Sequence, residues 1–476
     1  MRERTSLRHI VVVCLIILLA VSACASPSEQ LQAAVPSATE TSVVAPETST
    51  ATPTTRDPTL TPAKPTPEET ATPTKTPMPT KTPPPPTPEA MPLELVEAGY
   101  GQDGRELGYA FLVRNPNERL AVEASRYQVA FYDSDDVVVE TDSGYVELLL
   151  PGQTLGLADT RYVDEGITVA RIDVQLRQGK TVASEPLPEF IVQYPAYSEG
   201  RFLNKVTGLV HNPYTTDLED LRVSAVLRDE EGNIIGGGFT YLSFVLAESS
   251  AGVSLSVAGA GGVATVAIYP TISGLTFLGR VREVPGDADP VRLIGQGYGQ
   301  DDMGASFGLL VENPNRGYAV ESSQYLVTAF AADGRVIDTE DGYITVLMPG
   351  ETLGVGGDLG AGDETIVRVE THVLQGKYAE AERVPHFTSE GVAYRPGDWY
   401  DRVSGQIVNP FDADISDLRV SALVYDGDGV IVGGGFTYLD FVPANGRAAV
   451  EVSVHARGSV ARSELYATLS SFSKFD

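Results

Sequence analysis

The sequence predicts an all-β protein: four tandem β-sandwich units in two duplicated pairs, behind a signal peptide and a disordered Pro/Thr-rich stalk. Three observations carry this. The segment Gly236-Gly237-Gly238-Phe239-Thr240-Tyr241-Leu242 returns unchanged 197 residues later, beginning at Gly433, and Asp220-Leu221-Arg222-Val223-Ser224-Ala225 returns unchanged at the same distance, beginning at Asp417. A weaker repeat places Asn115-Pro116, Asn212-Pro213, Asn313-Pro314 and Asn409-Pro410 at the end of four apolar runs. After the N-terminal region the hydrophobic period is two, that of strands with one buried face.

The chain opens on an address. Arg2, Arg4 and Arg8 precede an apolar run at residues 10–21, too short for a membrane span and suited to the core of a signal peptide. The run ends in Val21-Ser22-Ala23-Cys24, which resembles the lipobox of bacterial lipoproteins. That resemblance implies cleavage after Ala23 and a diacylglycerol on Cys24, so that the membrane is a partner through lipidated Cys24. The expected location is extracytoplasmic, on the cell surface. An ordinary secretory signal with a chance cysteine is the alternative. Residues 24–92 form the stalk, rich in Pro, Thr, Ser and Ala with almost no large apolar residue. Such a segment cannot bury enough surface to offset its ordering entropy. In extended form it reaches on the order of 100–200 Å.

The units follow at 93–196, 197–287, 288–392 and 393–476. The long repeat relates the first to the third: Gly99-Tyr100-Gly101-Gln102-Asp103 returns at Gly297, and Pro151-Gly152-Gln153-Thr154-Leu155-Gly156 at Pro349 with Glu351 for Gln153. Within the second unit, residues 202–211 read as a strand that stops at Asn212-Pro213, because proline lacks an N–H and holds its predecessor extended. Leu221, Val223, Ala225 and Leu227 then alternate, and Asp229 opens a hairpin turn matched by turns at Asp133, Asp333 and Asp426. Further strands are expected near 239–246, 253–258 and 263–269, six or seven per unit. The three glycines predict a bulge or a close backbone approach.

An apolar strand, Asn-Pro, and an alternating strand ending in Phe131-Tyr132-Asp133 or Val424-Tyr425-Asp426 resemble the FxLYD family of small immunoglobulin-like domains on bacterial and archaeal surface proteins. Units two and three depart from it, with Leu227-Arg228-Asp229 and Ala331-Ala332-Asp333. The resemblance implies an immunoglobulin-like sandwich and carries over neither a catalytic nor a binding residue.

Charge and composition narrow the function. With 64 acidic and 34 basic residues the net charge is -30, which argues against nucleic acid and against attraction to anionic lipid. Cys14 and Cys24 are the only cysteines, so the folded region has no disulfide and no thiolate chemistry. His211, His372, His386 and His455 show no metal-ligand spacing, and no hydrolase elbow, P-loop or zincin motif occurs. No catalytic residue, metal site or cofactor is assigned. The clusters beginning at Asp133, Asp301 and Asp426 could serve calcium or, more simply, their own turns. Phe239, Tyr241, Phe436 and Tyr438 are the candidate ligand-binding residues, because tyrosine offers apolar area with a polar tip. Packing of the same aromatics inside a sandwich or against a neighbouring unit is the competing reading. The expected function is therefore a non-enzymatic, lipid-anchored adhesion, binding or spacer module whose partner is an envelope glycan or surface protein. A dedicated polysaccharide-binding lipoprotein and an envelope hydrolase with a dispersed acidic site are the alternatives.

Overall fold

The computed structural model describes residues 90–185, 187–200, 203–278, 284–381 and 385–475. Cys24 and almost all of the stalk lie outside them. Among the described residues there are 28 strands and no helix. The first unit holds β1 (Glu94–Asp103), β2 (Glu106–Arg114), β3 (Leu120–Tyr132), β4 (Val138–Leu149), β5 (Thr154–Tyr162), β6 (Arg171–Arg177) and β7 (Lys180–Ala183). The second holds β8 (Ile191–Ser198), β9 (Asn204–His211), β10 (Leu218–Arg228), β11 (Ile234–Val245), β12 (Ser250–Gly259), β13 (Thr265–Thr271) and β14 (Phe277–Leu278). The third holds β15 (Arg292–Gln300), β16 (Ala305–Glu312), β17 (Tyr318–Phe330), β18 (Val336–Leu347), β19 (Thr352–Leu359), β20 (Arg368–Leu374) and β21 (Lys377–Glu380). The fourth holds β22 (Thr388–Arg395), β23 (Asp401–Val408), β24 (Ile415–Tyr425), β25 (Ile431–Val442), β26 (Arg447–Val454), β27 (Arg462–Thr468) and β28 (Lys474–Phe475).

Every unit has one plan. Its first, second and fifth strands form one antiparallel layer, and its fourth, third and sixth form the other; in unit two β11 also pairs β12, Gly236 with Gly259 and Gly237 with Ala258, so the two layers join into one seven-stranded sheet. This is an immunoglobulin-like sandwich with the fourth strand on the second sheet. The seventh strand continues the sixth: β6 and β7 pair successive parts of β3, and β13 and β14 pair successive parts of β10. The break faces a left-handed residue in the third strand, at Ala124, Asp220, Ser322 and Asp417, with φ of 52 to 55°. Units two and four begin earlier than residues 197 and 393, because β8 pairs β9 and β22 pairs β23. Period-two alternation is weak in β8 and β22, where Pro195 and Gly391 accompany bulges.

The four Asn-Pro asparagines are the clasps of this plan. Asn115 is fully buried, and its Nδ2 donates to the carbonyls of Leu120, Leu149 and Leu150 at 2.7, 3.2 and 3.0 Å. Its Oδ1 accepts the Asn117 N–H. Asn212, Asn313 and Asn409 repeat the pattern on their own units, as in Asn409 Nδ2 to Ala413, Val442 and Pro443. Each amide thus joins the second strand's exit to the end of the fourth strand in the opposite sheet. Carbonyls left unpaired in that interior would carry a desolvation cost.

The acidic turns are also self-contained. Asp133 Oδ1 accepts the N–H groups of Asp135 and Val137, and Asp426 Oδ1 those of Asp428 and Val430. This is the turn chemistry by which aspartate closes a hairpin on its own backbone. The strand expected near 239–246 is longer and begins earlier, as β11 over Ile234–Val245.

Candidate functional site

Both unchanged segments meet at one place, the junction between units one and two, and again between units three and four. The sheet β1-β2-β5 lies against β10 and β11, and the sheet β15-β16-β19 against β24 and β25. The glycines make this approach. A Cβ on Gly237 would stand 2.8 Å from Cβ of Ala158 in the preceding unit and 3.1 Å from the Tyr109 carbonyl. One on Gly434 would overlap the Phe307 carbonyl. The opposing sheet reciprocates: side chains at Gly99 and Gly101, or at Gly297 and Gly299, would overlap carbonyls of Ile234, Ile235, Ile431 and His455. Ala110, Leu112, Ala158, Val226 and Ile234 fill the first junction as one buried cluster.

The expected bulge is present, and the three glycines divide by strand period: Gly237 and Gly434 face the preceding unit, whereas Gly236 and Gly238 lie against the Ala258 and Ser256 carbonyls, and Gly433 and Gly435 against the His455 and Ser453 carbonyls, of their own units. The register shifts just before Gly236 and Gly433, and also at the same step in β4 and β18, where Glu140 and Asp338 stand instead. All four units have the bulge; the glycine triplet occurs in the two whose fourth strand meets a glycine-bearing sheet.

Arg222 and Arg419 lock the contact. The Arg222 guanidinium lies 3.8 Å from the Phe239 ring centroid and donates through Nη2 to the Ala158 carbonyl at 2.9 Å. Arg419 lies 4.1 Å from the Phe436 centroid and donates to the Gly356 carbonyl at 2.9 Å. Register explains the geometry: Arg222 pairs Tyr241 and Ser224 pairs Phe239 on the same outward face of β10 and β11. One face of each phenylalanine is therefore occupied by its own arginine, a cation–π contact.

The candidate aromatics divide accordingly. Phe239 is half-buried and meets Tyr241 edge-to-face at 5.7 Å, while Phe436 meets Tyr438 in the same way at 5.9 Å. Tyr241 lines a groove of about 450 Å³ between units one and two, together with Tyr127, Tyr145, Arg222 and Leu275. Tyr438 is 46% exposed beside Phe472, 6.4 Å away, and Phe441 is 58% exposed. The structure brings together the aromatic pair of each copy, on one junction each. It does not bring the two copies into a single cluster.

Asp142, Asp159 and Arg161 of the groove are paired with one another. Asp142 accepts from the Tyr109 hydroxyl and from Arg161, and Arg161 also pairs Asp159 at 3.2 Å. Burial raises the pKa of Asp159 despite Arg161, and burial with the adjacent Asp142 raises Tyr109 far above the usual phenol range. Tyr109 is thus a fixed donor. At the second junction Glu340 and Leu359 take the places of Asp142 and Arg161. Burial, with Asp341, Asp338 and Asp358 nearby, pushes the Glu340 carboxyl up to about 7. Between units three and four, His455 Nδ1 meets Asp301 at 2.9 Å. Burial opposes ionisation of Asp301, but the His455 contact and backbone donors outweigh it and lower its pKa. His211 ends β9 and contacts Ser250.

Sequence reasoning passed over Arg222 and Arg419 as ordinary members of a polar strand face. Their signal was present: an arginine inside a segment repeated without change, standing directly between two apolar core positions of the strand. Compared with protein-family models the chain matches none, and no curated protein matches it.

Proposed function

We propose that this chain is a non-enzymatic surface lipoprotein, anchored through Cys24, that acts as a spacer, adhesion or binding module. The observation that supports this reading is the use of the two unchanged segments. Gly237, Arg222, Gly434 and Arg419 build junctions between successive sandwiches. Repetition of these residues serves the continuity of the array. The FxLYD-like plan of the units fits the same role.

A second reading, retention of an envelope polysaccharide, is favoured by Tyr438, Phe441 and Phe472, which expose aromatic area on the fourth unit. Aromatic faces of this kind stack on apolar sugar surfaces.

Two measurements separate these readings. Palmitate labelling of the expressing cell should mark the chain and vanish in Cys24→Ser; labelling that survives removes the lipid anchor. The immobilised full chain is then challenged with purified envelope glycans and a solubilised envelope extract. Retention that survives Tyr241→Ala with Tyr438→Ala supports a module whose partner lies elsewhere, and retention of nothing supports a spacer. Retention lost in the double variant, at unchanged melting temperature, supports the polysaccharide reading. Hydrolysis of glycan or ester reporters by the chain would overturn both.

A further inference from the structure

All three junctions use the same two faces. At each junction the second and fifth strands of one unit lie on the third and fourth strands of the next. Between units two and three, β9 and β12 lie on β17 and β18. Such a contact is heterologous: each unit presents one face forward and a different face backward, and nothing in it closes. Among the described residues the series thus leaves two complementary faces uncovered, β22-β23-β26 of unit four and β3-β4 of unit one.

We propose that these faces bind each other between two copies of this chain, continuing the series from unit four of one copy to unit one of the next. The junction between units two and three is the template, because it too joins an even unit to an odd one. Its partners are Lys205 with Asp338 at 2.9 Å, the Thr207 hydroxyl on the Val336 carbonyl at 2.7 Å, and Gly252 against Thr328. The long repeat carries each pair onto the free faces with its match preserved. Arg402 stands for Lys205 and Glu140 for Asp338; Ser404 stands for Thr207 and Val138 for Val336.

The third pair changes size on both sides at once. A Cβ on Gly252 would stand 2.7 Å from Thr328 Oγ1. In the free faces Ala449 supplies that Cβ, and Ala130 lacks the hydroxyl it would meet. Close-packed contacts tolerate such volume-conserving exchanges best. Burial agrees: Val336 is 0% exposed in its junction, whereas Val138 is 49% exposed.

Charge favours the same match. Unit four's face carries a hollow of about 700 Å³ bordered by Glu390 and Glu451, and unit one's a hollow of about 450 Å³ bordered by Arg126 and Arg177. Glu390 and Glu451 already contact Arg447 and Arg402 at 2.7 and 3.5 Å. Arg402 would then sit between Glu451 of its own copy and Glu140 of the next. Arg126 occupies the place of Arg222 and Arg419, which reach the preceding unit's fifth strand in both other contexts.

The test is sedimentation velocity of the full chain in mild detergent over a concentration series. Species larger than one copy should grow with concentration and shrink with salt. Arg402→Glu and Glu140→Arg should each weaken association at least about tenfold, since like charges then face each other. An equimolar mixture of the two variants should restore it, because each mixed junction again pairs opposite charges. Circular dichroism melting confirms that both variants fold. A chain that stays single at every concentration overturns the proposal. So does association that both variants leave unchanged, or association that the mixture fails to restore.

Discussion

The junctions between units one and two and between units two and three join the same faces by opposite means. In the first, glycines on both sheets bring backbone against backbone, and Arg222 spans the seam to a carbonyl. In the second, side chains meet: Lys205, Thr207 and Ser254 reach Asp338 and the Val336 carbonyl. Sheets with a side chain at every outward position pack about 10 Å apart, whereas glycine removes the atoms that set this spacing. The first kind of contact is specified by shape and admits little substitution. The second is specified by polar pairing and admits exchange, which is where the two halves of the repeat differ.

The largest expected effect comes from filling the glycine seam. Gly237→Val should cost about 3 kcal/mol or more by chemical denaturation, because backbone on both sides leaves no room to yield. Gly252→Val at the second junction should cost about 1–2 kcal/mol, since Thr328 is a side chain that can turn away. Equal losses at the two positions would end the distinction drawn above.

Arg222→Met should cost about 1–2 kcal/mol, from the lost ring contact and the carbonyl left unpaired. Thermal melts of Arg222→Met and Arg419→Met should agree, as both guanidiniums cover a phenylalanine ring and donate to a fifth-strand carbonyl. A loss confined to one copy would mean that the two glycine junctions are not equivalent.

Gln153 and Glu351 occupy matching places at those two junctions, accepting the Leu150 and Met348 N–H groups. Burial pushes the Glu351 carboxyl up to about 7 from an ordinary 4.5, against the Met348 N–H, which lowers it. The folded chain therefore holds this proton more tightly than the unfolded chain. Stability is lost as pH rises from about 4.5 to 7. Glu351→Gln should stabilise by about 1–2 kcal/mol at pH 8 and by nothing measurable at pH 4. A constant difference across that range would remove the titration from the account.

The smallest effect is expected at the polar junction. Lys205→Met should cost about 1 kcal/mol or less, fading in high salt, because Lys205 and Asp338 keep partial contact with water. A salt-independent loss would place apolar packing ahead of charge there as well.

Much of the fold was legible because its causes are local. Period-two alternation in residues 221–227, aspartate at each hairpin and Asn-Pro at each strand exit act within a few residues of themselves, and each reappears in all four units. The starts of units two and four were less legible, since β8 and β22 carry bulges and little alternation. The glycine triplet was visible as a close approach, but not what it approached. Phe239 and Tyr241 were visible as an aromatic pair, while the guanidinium that covers one ring comes from a strand paired alongside. Arg222 itself reads as an ordinary exposed residue until the preceding unit is in place.

By itself the sequence determined the strand content, the fourfold repeat, its grouping into pairs, and the turns and exits that bound each sandwich. These follow from side-chain period and backbone chemistry within single segments. Only the tertiary structure decided that Asn115 and its three counterparts clasp opposite sheets, that the middle glycine of each triplet serves a neighbouring unit, and which faces the described series leaves uncovered. Those outcomes rest on carbonyls and side chains tens to more than a hundred residues away, which meet only when the sheets have formed and stacked.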